Sequence, residues 1–136
     1  MKVFELAAVA LLRGHEVLNV RKRGTDHVIL PGGKIEPGES TLDAVLREAT
    51  EELRIDLDPE ALELLGDFDS APANGDADKI HCTVYVADWP RDALARTDHE
   101  IAEYEWTDLL DCAGDPRQAP LLIDHVIPAL RRAGRI

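Results

Sequence analysis

The stretch Gly33–Ile55, GKIEPGESTLDAVLREATEELRI, decides how this chain is read. It opens among helix breakers: with Pro31-Gly32-Gly33 just before and Pro37-Gly38 inside it, Pro31 to Glu39 reads as a glycine-rich loop. Ser40 follows as a helix N-cap, with Asp43 at the capping-box position. Leu42, Val45, Leu46, Ala49 and Leu53 then recur at spacings of three and four, the apolar stripe of an amphipathic helix. That helix should stop near Arg54, because the Asp-rich stretch Asp56 to Asp58 and Pro59 come next.

The same helix carries Glu48, Glu51 and Glu52. At about 100° per residue, Glu52 lies about 40° from Glu48 and Glu51 about 60° away on the other side, so all three share one edge beside the apolar stripe. Like charges so spaced repel by a few tenths of a kcal/mol per pair in solvent, and more near a core. Arg47, four residues before Glu51, can offset part of this. A divalent cation would neutralise the rest, and an all-oxygen ligand set suits Mg²⁺ or Mn²⁺, not zinc. A Glu-rich helix edge alone is usually just solvated. The loop, Arg47 and the full spacing together point to a site.

Working outward, Phe4 to Leu12 reads as a buried strand and Val17 to Val20 as its partner, joined by a turn at Arg13-Gly14-His15-Glu16. Val28-Ile29-Leu30 is a short apolar run ended by Pro31. Leu62 to Phe68, Ile80 to Ala87 and Ile101 to Trp106 are further strands, and Ala71 to Asp78 is a loop. Leu121 to Leu130 is apolar enough for a closing helix that Pro128 would kink or shorten. The order predicts a single mixed α/β domain over residues 1–136.

Composition narrows the function classes. A net charge of −12 argues against a nucleic-acid polymer as partner, since such binders need a basic face. No apolar run approaches the ~20 residues of a membrane span, and no signal peptide is evident, so no membrane partner and a cytoplasmic address are expected. Cys82 and Cys112 read as ordinary reduced thiols. The basic run Arg21-Lys22-Arg23 reads first as an exposed strand end. Its functional reading is that Arg23 or Lys34 meets a substrate phosphate. Trp89 and Trp106 could stack on a base, but strand-end packing is the simpler reading.

The full spacing resembles the Nudix box, G-x5-E-x7-R-E-U-x-E-E-x-G-U with U apolar. Gly33, Glu39, Arg47-Glu48-Ala49-Thr50-Glu51-Glu52 and Ile55 fall in place. Two positions depart from it: Arg54 stands where the family has a helix-ending Gly, and Ala49 is a small choice for an apolar box position. The resemblance implies an α/β/α sandwich with a mixed sheet and a Mg²⁺-dependent hydrolase cleaving a phosphoanhydride bond in a nucleoside di- or triphosphate derivative. By matched position it implies that Gly32 offers its carbonyl to the metal and that Glu48, Glu51 and Glu52 are ligands or bases. Arg47 would orient the glutamates and Glu39 would support the loop, with Gly33 beside the substrate. In relatives a later Glu often completes the site; Glu100 is most similar in placement and Glu103 is the alternative. Glu48 is favoured as general base, ahead of Glu100 and Glu51. The partner implied is a small nucleotide, with a homodimer left open. ADP-sugar and dinucleoside polyphosphate substrates, and a catalytically weak nucleotide-sensing module, are the competing readings.

Overall fold

The computed structural model describes residues 1–73, 77–96 and 100–136. β1 (Val3–Arg13) and β2 (Glu16–Lys22) make the expected hairpin, paired at Arg13–Glu16 and Leu12–Val17 around Gly14, whose φ of 60° supplies the left-handed turn. Beyond that end the two strands part. β2 runs antiparallel to β6 (Ile101–Asp108), while β1 pairs in parallel with β5 (Lys79–Asp88) from Val3 to Leu12. β4 (Glu63–Ser70) lies antiparallel outside β5, giving the order β4-β5-β1-β2-β6.

The glycine-rich stretch departs from expectation. Its first part is not a loop but a short strand, β3 (Gly32–Lys34), which pairs antiparallel with β1 through Ala8–Gly32, Ala7–Gly33 and Leu6–Lys34. It fills the space left where β2 turns away. The approach is close: a Cβ on Gly32 would stand 2.3 Å from the Ala7 carbonyl oxygen and 2.7 Å from Ala8 Cα, so only glycine fits.

Alternation along β1 builds two cores. Ala7, Val9 and Leu11 pack against Val45, Ala49 and Leu53 of α1 (Thr41–Leu53). Ala8, Ala10 and Leu12 pack against Leu122, Val126 and Leu130 of the closing helix. A central strand apolar on both faces therefore lies between helices, which is the expected α/β/α sandwich.

Both ends of α1 obey local chemistry. The Ser40 hydroxyl accepts from the Asp43 N–H at 3.0 Å. Arg54 adopts φ 59°, ψ 40°, and its N–H bonds back to Thr50 O at 3.1 Å. The helix thus ends as a glycine would end it, with a side chain bearing the strain of about 1 kcal/mol or more. The closing helix starts as a π-helix (Leu121–Val126) and becomes α2 (Ile127–Arg132). Pro128 lacks an N–H and crowds the preceding turn, and the widened turn relieves this. Both cysteines are free and buried. Among the described residues no helix is long and apolar enough to cross a membrane.

Candidate active site

α1 presents its polar edge to the β3 turn. Arg47 is the hub. Its Nε donates to Glu39 Oε2 at 2.8 Å, and its Nη2 donates to Glu39 Oε1 at 3.0 Å and to the Lys34 carbonyl at 3.1 Å. Its Nη1 donates to Glu48 Oε1 at 2.8 Å and to Glu51 Oε2 at 3.3 Å. Glu39 Oε1 also accepts from the Glu36 N–H, so one guanidinium ties the loop to the helix. These bonds, led by that from Arg47, hold the Glu39 carboxyl down at about 2.

The three helix glutamates separate by environment. Glu51 is exposed. The Glu48 side chain is 15% exposed, and burial raises its pKa despite the adjacent Arg47. Glu52 is 4% exposed and sits among the core-facing residues of α1. Its Oε1 accepts from the Gly32 N–H at 2.8 Å. Its Oε2 is the buried side-chain oxygen or nitrogen left without a partner among the described residues. Burial, ahead of that hydrogen bond, pushes the Glu52 carboxyl up to about 8. Gly33 completes the cradle, because a Cβ there would lie 2.6 Å from Glu48 Oε1.

These side chains do not form a ready cage. Among the described residues, no three His, Cys, Asp or Glu side chains stand in position to hold an ion as they are. Glu48 and Glu51 are turned to Arg47, and Glu52 to Gly32.

Of the two later acids, Glu103 is taken by Arg21 at 2.9 Å on the surface. Glu100 takes the Arg23 N–H on its carbonyl at 3.0 Å, and its charge helps raise the Glu52 pKa, so it lies on the site's side. Neighbouring His99 is outside the described residues, as are 74–76 of the loop expected at Ala71 to Asp78. Arg23 and Lys34 both line a cleft of about 360 Å³ that adjoins Gly32 and Gly33. Lys22, passed over in favour of its neighbours, lines it too, and its charge lowers the pKa of both Glu48 and Glu52. Its only signal in the sequence is its place in the basic run Arg21-Lys22-Arg23, since a register shift between Arg21 and Lys22 breaks the alternation of β2 there. Trp89 and Trp106 stack edge-on against each other, with Arg13 over Trp106, away from the cleft.

The NUDIX domain family matches residues 3–128. The chain belongs to the NUDIX family. That membership bears out the expectation of a Nudix hydrolase. Solved NUDIX structures share the fold. A MutT/nudix family protein from Enterococcus faecalis superposes with a TM-score of 0.78 at 22% identity, covering 98% of this chain and 63% of its own. A MutT NUDIX hydrolase from Burkholderia pseudomallei gives 0.67 at 26% identity, over 82% of this chain and 87% of its own. A bifunctional NMN adenylyltransferase/ADP ribose pyrophosphatase from Francisella tularensis, complexed with AMP and a Mn ion, gives 0.72 at 21%, over 98% and 42%. No curated protein matches the chain.

Proposed function

We propose that this NUDIX chain uses Mg²⁺, or Mn²⁺ in its place, to hydrolyse a phosphoanhydride bond of a nucleoside di- or triphosphate derivative. The observation that carries this reading is the buried Glu52 Oε2, which has no hydrogen-bond partner among the described residues, on the same helix edge as Glu48 and against the β3 glycines. A buried carboxylate oxygen without a donor is costly, and an all-oxygen set fits a hard divalent ion. Glu48, Glu51 and Glu52 would hold it, with the Gly32 carbonyl and Glu100. The bound ion supplies charge neutralisation and activation of water.

The chain's own groups do the rest. Lys22, Arg23 and Lys34 draw the phosphates to the cleft mouth in a molecule of net charge −12. Arg47 orients Glu48 and Glu51 and fixes the loop through Glu39. Glu48, half-buried with a raised pKa, takes the proton of the attacking water as the other phosphate leaves. Catalysis is then mostly positioning and electrostatics. ADP-sugars and dinucleoside polyphosphates remain within the same substrate class.

The test is a nucleotide panel with Mg²⁺ in isotopically labelled water, run on the natural chain and on Glu52→Gln. Label in a phosphate product, lost in the variant or without the ion, is the expected result. Turnover by Glu52→Gln at the natural rate in saturating Mg²⁺ would remove the assignment.

A further inference from the structure

Three polar side chains lie buried away from the carboxylate edge. Asn19 of β2 is 1% exposed, Thr107 of β6 6%, and Gln118, just ahead of the closing helix, 7%. They form one chain of hydrogen bonds. Asn19 Nδ2 donates to Thr107 Oγ1 at 2.9 Å and to Gln118 Oε1 at 3.1 Å. Gln118 Nε2 in turn donates to Asp115 Oδ2 at 3.3 Å. Arg117 closes the outer side: its Nη2 donates to Asp115 Oδ2 at 3.0 Å and to Glu105 Oε1 at 2.9 Å, and its Nη1 to Glu105 Oε2 at 3.2 Å. The network ties residues 115–118 to β2 and β6. Asn19, Thr107 and Gln118 are not among the residues lining the cleft, yet the backbone they hold leads into its wall. Gln118 meets Val28 in an isolated parallel bridge, where the Val28 N–H donates to the Arg117 carbonyl at 2.9 Å. Ile29 exchanges N–H···O bonds of 2.8 and 2.9 Å with Val20, the residue after Asn19. Residues 28–29 therefore sit between β2 and residues 117–118, held by an isolated bridge on each side and not by a ladder. Ile29 and Leu30 form one part of the cleft wall, and Ala119, Leu121 and Leu122 another.

We propose that Asn19, Thr107 and Gln118 are positioning residues for the hydrolase: their buried hydrogen bonds set the register of residues 117–119 against β2 and so fix the cleft walls before substrate arrives. The proposal rests on the hydrolase reading above, with substrate entering at this cleft. Apolar contact is non-directional and tolerates a small slide of the segment. A buried network does not, because a slide leaves desolvated donors and acceptors unpaired. Walls held in place by such a network need no ordering on binding, and that ordering otherwise weakens affinity. The effect falls on binding and not on the chemical step. Asn19 follows Val17 on the face of the sheet that packs on the closing helix, whereas Glu48 and Glu52 stand on α1, which covers the opposite face.

The experiment measures kcat and KM, well below the melting temperature and with Mg²⁺, for the four common ribonucleoside triphosphates, ADP-ribose and a diadenosine polyphosphate. It compares the natural chain with Thr107→Val, which keeps the shape and removes the hydroxyl, Thr107→Ser, which keeps the hydroxyl, and Gln118→Met, which removes the amide at similar length. Thr107→Val and Gln118→Met should each raise KM by about 3–10-fold, the usual worth of one hydrogen bond, with kcat within about twofold. Thr107→Ser should restore KM. A natural KM in a folded Thr107→Val or Gln118→Met overturns the proposal, as does a fall in kcat at constant KM, or a Thr107→Ser that behaves like Thr107→Val. If Thr107→Val does not fold, Gln118→Met decides by the same criteria. If no compound is hydrolysed with Mg²⁺ or Mn²⁺, the hydrolase reading fails, and calorimetric affinities for the same compounds take the place of KM. Weaker binding by Thr107→Val, restored in Thr107→Ser, then supports the network; unchanged binding, or none by the natural chain, refutes it.

Discussion

Two acid-rich clusters on this molecule use similar residues to opposite ends. On α1, Glu39, Glu48, Glu51 and Glu52 gather around Arg47 and the β3 turn. On β4 and β5, Asp67 and Asp69 gather around His81, with Asp69 Oδ1 2.8 Å from His81 Nδ1 and Asp67 bonded to the Thr83 hydroxyl. In the second cluster both aspartates are exposed. The hydrogen bond to His81 lowers the Asp69 pKa, and every charge keeps solvent or a partner. In the first, burial dominates: Glu48 and Glu52 are raised and one oxygen is orphaned. Residue type does not separate a site from a surface here. Desolvation does, because it leaves a need that only a cation or a proton can meet.

The largest expected difference between the clusters is in turnover. Glu48→Gln should cut kcat by about 10²–10⁴-fold, the usual worth of a general base. The double variant Asp67→Asn, Asp69→Asn should stay within twofold, as exposed pairs contribute little. Steady-state kinetics on both proteins decide this, and equal losses would erase the distinction drawn above.

The two glycines sharpen it next. At Gly32→Ala the new Cβ meets backbone of β1, so about 1–3 kcal/mol of stability should be lost in denaturant melts. At Gly33→Ala the atoms nearest the new Cβ belong to the movable carboxylate end of Glu48. That variant should melt near the natural chain yet lose kcat, since the base is displaced.

A third difference is in pH dependence. The folded value of Glu52, about 8, lies above its ordinary value, so the unfolded chain gives up this proton first as pH rises. Its contribution to stability is complete below the ordinary carboxylate range and is lost as pH climbs towards 8. The slope is at most about 1.4 kcal/mol per pH unit. Thermal melts of the metal-free protein should therefore fall across this window, and Glu52→Gln should flatten them. His81, raised by its bond to Asp69, pulls in the same direction above its own ordinary value, but it is only half-buried, and His81→Asn should leave most of the slope. Added Mg²⁺ should restore the melting point, more so at the alkaline end, where fewer protons compete.

The smallest effect concerns the helix end. Arg54→Gly removes the left-handed strain and should raise the melting temperature by a few degrees, with activity unchanged.

Much of this is legible in the sequence. The 3.6-residue period alone puts Glu48, Glu51 and Glu52 on one edge of α1 and Val45, Ala49 and Leu53 on its buried side. Ser40 and the stop at Arg54 follow from local capping chemistry. Other features were misread because their causes are remote in sequence. Gly32–Lys34 looks like a loop from within, and becomes a strand because β1 offers it unpaired backbone where β2 veers off. The π-turn at Leu121–Val126 was expected only as a kink.

Short-range pattern in the chain fixes the extent and caps of α1, the apolar run of β1, and the edge of α1 on which the carboxylates stand, since each depends on neighbours a few residues apart. Packing decides that helices cover both faces of β1, that Glu52 is the buried acid, that the Lys22 charge acts on it, and that an apolar cleft opens beside the glycines. These depend on pairing register between segments far apart along the chain, and desolvation is a property of what packs around a group, which no local pattern encodes.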